Sequence, residues 1–567
     1  MLATVQGSRG ESRLRVSDAL LVFAFAFALR LAHVLAMRQS PYFDHPLVDA
    51  FTFHQAARSI AAGEGHPDKI FWQPPGYPYF LGLIYWAAGG VSFLAPRLVQ
   101  AALGAFAALL TAWTGAKEFG RAVGLTAGLA VALYGTLIYF DGELLGVSLT
   151  VALQLGAVAL ALLARGAERP PLLWLAAGAV AGFASLVTAT SLVLVGIFAA
   201  FARRLALWCL LGAMLAIAPA TIRNLARGGE LIPISWNGGV NLYIGNNPRY
   251  DEIVAVRPDI RWKDLTAEPV RHGIWSKGGA SNYFVRKVTE WARRDPVAFL
   301  RLQLRKVRLL LGGDEIFRNQ AIYPARAYSP VLWALLWKAP GIAFPFGVLV
   351  PLSLLGLGIA WKRAPLLAWI IVIYALANVA FFITARYRVP LVPYLAMFAA
   401  RGVQWFLVDA KRPARAAAVA GLVGVYTLSN LGAGPMPARM NADAELTLAG
   451  FLHREGRLEE ARRHYLLSID GRRDDPETWA DLGALEMDLG DFEQAARAFE
   501  DALRIHPEEG GALLGLAALR EREGRFQEAI ALYGRAALAN PKDAWSRARI
   551  LELSRRFGIR PGTPMKP

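Results

Sequence analysis

Along the first three quarters of the chain, apolar residues fall in long runs separated by short polar stretches. Runs long enough to approach the ~30 Å hydrocarbon layer of a bilayer occupy residues 18–37, 96–116, 122–140, 144–164, 171–187, 189–202, 205–222, 339–361, 364–384, 389–408 and 414–432. They predict about eleven transmembrane helices. A further apolar run, 75–94, contains the turn sequence PPGYP and Gly89-Gly90, and the basic residues decide its placement. If it lies as a juxtamembrane helix on the outer side, Arg9, Arg13, Arg15, Lys117, Arg121, Arg165, Arg169, Arg203, Arg204, Lys362, Arg363, Lys411, Arg412 and Arg415 all fall on the cytoplasmic side, as the positive-inside tendency requires. The N-terminus is then expected in the cytoplasm and the C-terminal region outside it, in a multi-pass protein of the cell (inner) membrane. The 18–37 run is longer than a signal-peptide core and no A-x-A site follows, so it is expected to stay as an anchor.

Past residue 437 the pattern changes to charged, helix-period sequence that matches itself every 34 residues. Gly456, Gly490 and Gly524 align, as do Ala461, Ala495 and Ala529, then Tyr465, Phe499 and Tyr533, with Pro507 and Pro541 closing two units. Small residues let paired helices approach and the aromatic fills the space between neighbours, which is the tetratricopeptide signature. Repeat starts fall near 442, 476 and 510, and LGAGPMPAR (431–439) is the linker. The expected fold is therefore all-α: a polytopic helical bundle over 1–437, then an α-solenoid of about three repeats over 438–567. The repeats offer a surface for a protein or peptide partner.

Composition supports the membrane assignment. Of the 567 residues, 55% are hydrophobic and the mean hydropathy is +0.34, too apolar for a soluble chain of this length. The single cysteine, Cys209, sits in an apolar run, which excludes a disulfide framework or a thiolate metal site. The net charge of +17 comes from Lys and Arg that gather at the ends of apolar runs and along one loop. Membrane orientation, and not nucleic acid, accounts for it.

The candidate chemistry lies in the polar stretches. The first external loop, 38–95, contains DAFTFHQAARSIAAGEGHPDKIFWQPPGYP from Asp49 to Pro78, which holds Asp49, His54, His66, Asp68 and Lys69 directly after the first span. Titratable groups at a membrane surface suit a lipid-linked substrate, although solvated loop residues are common in any such loop. With the expected topology, Asp141 and Glu143 in YFDGELL, Arg223 and Asn224, and Arg386 and Arg388 in ITARYRVPLVPY reach the same face. The large external loop, 223–337, carries PISWNGGVNLYIGNNP with Asn241 and Asn246, then a basic stretch in which Arg301, Arg305 and Arg308 recur among leucines. That stretch predicts a helix lying on the membrane with its cations toward phosphates.

The ordered set of a first-loop D-x4-H, PPGYP, GELL after the third span, IRN…PIS-x-NGG-x-NLYIGNNP and RYRVPLVPYL resembles the bacterial membrane glycosyltransferases of the GT-C class, over roughly residues 15–432. Those enzymes are relatives of the protein O-mannosyltransferases and of the aminoarabinose transferases of lipid A. The resemblance implies a helical bundle with a donor site at the extracytoplasmic membrane boundary, a polyprenyl-phosphate sugar as donor, and inversion at the anomeric centre. It assigns Asp49 as the catalytic acid of the first loop and Asp141 with Glu143 as a second acidic cluster. Arg386 and Arg388, with Lys69 as a weaker choice, are left for the donor phosphate, and His54, His66, Asn241 and Asn246 are substrate-binding candidates. The sequence departs from the family pattern at Phe53, where a tyrosine is usual, and at Val147 or Ser148, where an acid is usual, which weakens the case for a metal there. A divalent cation such as Mg or Mn is the one cofactor the reading allows.

The residue types fit the chemistry independently. An inverting displacement needs one base for the acceptor hydroxyl, while a phosphate leaving group needs charge stabilisation and not a proton. The acceptor is left open among lipid, glycan and protein, and membrane lipids surround the site. Two alternatives stand beside this reading: an oligosaccharide ligase or polymerase of the envelope, and a non-enzymatic membrane scaffold for the repeats. The scaffold has no use for Asp49.

Overall fold

The computed structural model describes residues 14–168, 170–254, 260–317, 322–432, 439–539 and 544–558. Arg9, Arg13, Arg169 and Pro541, with most of the 431–439 linker, lie outside the described residues. The chain divides into two compact units, Met1–Pro435 and Met436–Pro567. The first unit opens with α1 (Val16–Met37), the loop helices α2 (Asp49–Ala61) and α3 (Gly76–Ala87), then α4 (Leu94–Phe119), α5 (Arg121–Ala132), α6 (Gly135–Asp141), α7 (Val147–Ala164), α8 (Pro170–Val187), α9 (Leu192–Ala202) and α10 (Ala206–Gly228). The large loop holds α11 (Gly238–Gly245), α12 (Tyr250–Val254), α13 (Ile260–Arg271), α14 (Lys277–Arg294), α15 (Pro296–Leu311) and α16 (Pro330–Leu335). A short antiparallel hairpin follows, β1 (Trp337–Ala339) and β2 (Ile342–Phe344), with Trp337 opposite Phe344. The unit ends with α17 (Phe346–Ala360), α18 (Pro365–Ala380), α19 (Ala385–Arg388), α20 (Val392–Gln404) and α21 (Arg412–Asn430).

The spanning helices are fewer than the eleven expected. Among the described residues six are long and apolar enough to cross a membrane: 16–37, 94–119, 147–164, 170–187, 189–228 and 385–409. A seventh arises if α5 and α6, bent by 56° at Leu133–Tyr134, count as one span. The reasons are local. The β1–β2 hairpin and Pro345 consume the start of the 339–361 run, leaving α17 with 15 residues, about 22 Å of helix. α18 stops at Ala380, with 16 residues, where the chain turns out of the helix at Phe381. The 414–432 run lies in a helix that begins with Arg412 and includes Arg415. α3, at 12 residues, is too short to cross.

The 189–228 segment doubles back. Cys209 Sγ lies 4.0 Å from the Val195 carbonyl oxygen, whereas fourteen residues of continuous helix would separate them by about 21 Å. The reversal falls at Arg203, a non-glycine residue at φ +53°. α9 is thus a return leg, and α10 runs parallel to α8, with Gly178 against the Cys209 backbone and Gly182 against Ala213. The glycines permit backbone-to-backbone contact that no larger side chain would allow.

The second unit contains paired helices: α22 (Arg439–Arg454) with α23 (Leu458–Gly471), α24 (Pro476–Leu489) with α25 (Phe492–Ile505), and α26 (Gly510–Arg522) with α27 (Phe526–Ala539), then α28 (Ala544–Phe557). Gly456, Gly490 and Gly524 close the first helix of each pair at φ +76°, +81° and +76°, the left-handed conformation that favours glycine. Ala461, Ala495 and Ala529 are fully buried, and Tyr465, Phe499 and Tyr533 nearly so. The period seen in sequence is a period of packing.

Gly178→Leu should drive a side chain into the Cys209 carbonyl and cost about 1–3 kcal/mol or more. A lowered thermal aggregation temperature in detergent, with the second unit still folded by limited proteolysis, is the expected result.

Candidate functional site

Asp49 is the first residue of α2, and Val48 before it is held at φ +48° and ψ −110°. A β-branched residue avoids this conformation, and such strain persists only where its surroundings enforce it. Asp49 Oδ2 accepts a 2.5 Å hydrogen bond from Arg386 Nη1, and Oδ1 accepts one of 3.0 Å from Gln73 Nε2. The guanidinium lies 5.5 Å from the Tyr387 ring centroid and 6.0 Å from that of Phe53. The two charged side chains remain 21% and 24% exposed, so the pair is partly open. This brings the first-loop acid and the ARYR motif into direct contact across 337 residues.

A stapled framework holds Gln73 in place. Trp236 and Asn237 donate backbone hydrogen bonds to the carbonyls of Phe71 and Trp72, at 3.1 and 3.3 Å, while the Trp72 and Trp236 rings meet edge-on at 4.3 Å. Asn224 Oδ1 accepts from the Phe71 amide, and its Nδ2 donates to the carbonyls of Ile232 and Ile234. Arg223 donates to the His66 and Asp68 carbonyls and stacks on Phe71. The IRN, PISWNGG and FWQPPGYP motifs are thus parts of one joint. His66 lies in this joint, its Nδ1 accepting from the Asp68 amide; burial lowers its pKa, Asp68 raises it and Arg223 lowers it, with a net decrease. Lys69 is exposed and contributes its carbonyl to Arg223.

The remaining candidates are placed elsewhere. His54 is buried between α2 and α3, with Nδ1 3.0 Å from the Tyr85 hydroxyl; burial, then Arg58, hold its pKa below the usual value. Asn246 donates to the Leu242 and Ala380 carbonyls and accepts from Gln303 and Lys306. Asn241 is half-buried on α11. Arg388 points away from Asp49: it is 1% exposed, donates to the Gly312 and Asp314 carbonyls at 2.6 and 2.8 Å and to Glu315 Oε2 at 2.9 Å, and lies over the Phe346 ring at 3.6 Å. Glu315 Oε1 accepts from Thr136. With its guanidinium engaged inside the protein, Arg388 is a structural counterion.

The second acidic cluster divides. Asp141 is 1% exposed and paired at 2.6 Å with Arg30 of α1. Glu143 is buried as well; its carbonyl and that of Asp141 accept from Gln100 Nε2, and Gln100 Oε1 accepts from Tyr77. Burial pushes the Tyr77 phenol well above its usual range; Tyr85 and Glu143 add to the rise, and Arg97 and Arg386 oppose it. That leaves Tyr77 as a neutral donor between the Arg386 side and the Glu143 side. Arg97 closes this layer, donating to the Gly142 and Phe93 carbonyls and stacking on Phe43 at 3.9 Å. Among the described residues no group of three or more His, Cys, Asp or Glu could hold a metal ion. Asp49 is paired with Arg386 and Asp141 with Arg30.

Sequence reasoning missed Arg30, Gln73, Arg97, Lys306 and Glu315. A signal existed for Arg30, since a charge inside an apolar span needs a buried partner. Breaking one side of the Arg388–Glu315 pair, by Arg388→Met or Glu315→Gln, should cost about 3–5 kcal/mol, because the remaining charge is left uncompensated. The double variant should recover part of that loss in a double-mutant cycle of detergent-induced unfolding.

A tetratricopeptide repeat family model matches residues 486–550, and the repeats are a property of this chain. The chain is similar to Tetratricopeptide repeat protein 8 of Caenorhabditis elegans, 39% identical over 57 residues, which is 10% of this chain and 11% of that protein. It is also similar to Superkiller protein 3 of Schizosaccharomyces pombe, 34% identical over 77 residues, 14% of this chain and 6% of that one. The chain thus spans about a tenth or less of these relatives. Two solved structures are similar to most of the chain. One is the oligosaccharyltransferase AglB from Archaeoglobus fulgidus in complex with an inhibitory peptide and a dolichol-phosphate, at 16% identity and a TM-score of 0.40, covering 77% of this chain and 58% of that one. The other is ArnT from Cupriavidus metallidurans bound to undecaprenyl phosphate, at 13% identity and a TM-score of 0.36, covering 91% of this chain and 79% of that one.

Proposed function

We propose that this chain is an inverting glycosyltransferase that moves a sugar from a polyprenyl-phosphate donor to an extracytoplasmic acceptor. The observation that carries the reading is the partly open Asp49–Arg386 pair. In the resting protein each group is occupied by the other. A donor phosphate competes for the guanidinium, for which it offers a better-matched fork of oxygens, and its arrival releases the carboxylate. The acceptor oxygen then attacks the anomeric carbon, the bond from that carbon to the phosphate oxygen breaks, and the hydroxyl proton passes to Asp49. The electron pair leaves with the phosphate, whose charge Arg386 stabilises. Gln73 holds the second carboxylate oxygen and so orients the base.

Several residues then serve position and not contact. Arg388 fixes the backbone of the segment that presents Arg386, and Arg223 fixes the first loop beneath Gln73. Lys69 is a second cation at the mouth of the joint. The reading also places the N-terminus in the cytoplasm and the repeats outside it, where they would recruit a protein or peptide, or an acceptor bearing one. A reporter active only in the cytoplasm, fused after Ala438, should be silent; activity there would reverse the orientation.

The two halves of the pair should fail differently when changed. Asp49→Asn keeps the shape but removes the base, so donor binding should persist while transfer falls by about 10²-fold or more. Arg386→Ala should weaken donor binding as well as turnover, since a phosphate contact exists in the ground state and strengthens in the transition state. Both are measured on the full chain in lipid, against a panel of polyprenyl-phosphate sugars. Full turnover in Asp49→Asn would remove the base assignment, whereas no turnover of any donor by the unaltered chain would favour the scaffold.

A further inference from the structure

α15 presents three different faces. Leu302, Lys306 and Leu310 are buried inward. Val297, Leu300, Leu304, Val307 and Leu311 are exposed by 65%, 59%, 63%, 37% and 37%, and at helical spacing they share an arc of about 80°. Arg308, Arg301 and Arg305 fill the adjoining arc of similar width. Arg305 is paired with Asp251, which leaves Arg301 and Arg308 as the outer cations of the row.

The inner face shows where this helix sits. Lys306 Nζ donates to the Gly245 carbonyl at 2.9 Å, to Asn246 Oδ1 at 2.8 Å and to the Phe381 carbonyl at 2.9 Å. Phe381 lies between the apolar helix α18 and the candidate span that begins at Ala385. α15 is therefore fastened to the point where the chain leaves one apolar helix and enters another, which is the level of a bilayer boundary. An apolar row beside a guanidinium row at that level matches the acyl boundary and the lipid phosphates just above it.

We propose that α15 lies in the bilayer interface, its apolar row at the acyl boundary and Arg301 and Arg308 at the level of the lipid phosphates. Its occupant is the lipid surface. Through Lys306 the same helix holds Phe381, and with it the segment carrying Arg386, at a fixed depth. This placement does not depend on the sugar-transfer reading.

The test uses site-specific labels. Cys209, the single native cysteine, is buried, so one fluorophore can be attached through Leu300→Cys, Leu304→Cys or, as control on α14, Glu290→Cys, whose native side chain is 55% exposed. The full-length variants, checked for monodispersity, are placed in nanodiscs of phosphatidylglycerol and phosphatidylcholine with brominated acyl chains. Labels at 300 and 304 should be quenched several-fold more by bromolipid than the label at 290, and should be shielded from aqueous iodide. Iodide access at 300 and 304 equal to that at 290 would overturn the proposal. So would cross-linking between copies at these positions in place of bromolipid quenching, which would make the row a contact with a second copy.

Discussion

A guanidinium taken out of water must be met by oxygen, and the membrane-embedded unit is arranged around that requirement. Arg30 meets Asp141, Arg97 meets the Gly142 and Phe93 carbonyls, Arg388 meets Glu315 with two carbonyls, and Arg386 meets Asp49. A buried pair of this kind adds little net stability, because desolvation offsets the attraction, but separating its partners is expensive. Such pairs therefore act as registers. Arg30 with Asp141 sets α1 against the end of α6, and Arg388 with Glu315 sets the start of the last bundle helices against the large loop.

Exposure separates the Asp49–Arg386 pair from the Arg30–Asp141 and Arg388–Glu315 pairs. Arg30, Asp141, Arg388 and Glu315 are at most 1% exposed, whereas Asp49 and Arg386 are 21% and 24% exposed. A sealed pair can only hold; a partly open one can exchange partners with an incoming anion. Arg386 and Arg388 are two residues apart in one short helix and still fall on different sides of this division, because Glu315 and the Gly312 and Asp314 carbonyls claim Arg388.

What sequence made legible follows from the range of the interactions involved. The repeats were readable because their packing repeats every 34 residues and each unit is local. The first-loop acid and the ARYR motif were readable as chemistry, but their contact spans 337 residues and nothing in either segment specifies it. The same limit hid Arg30 as the partner of Asp141, 111 residues away, and made two arginines look equivalent. The span count erred for a different reason: hydropathy records how apolar a run is, not whether a hairpin or Pro345 interrupts its helix.

The large loop is where these constraints meet. Its backbone bonds to the first loop at Phe71–Trp72, its Lys306 and Asn246 hold the Ala380–Phe381 carbonyls, and its Gly312–Ile316 segment accepts from Arg388 and from the Ala385 amide. Both halves of the Asp49–Arg386 pair are thus positioned by the same intervening loop, one through Gln73 and the other through Phe381 and Ala385. A displacement of that loop would change the separation of Asp49 and Arg386, so their geometry is set as a unit and not residue by residue. A buried ammonium fits this arrangement: Lys306 donates to the Gly245 and Phe381 carbonyls and to Asn246 Oδ1, all neutral oxygens, and burial pulls its pKa down to about 7.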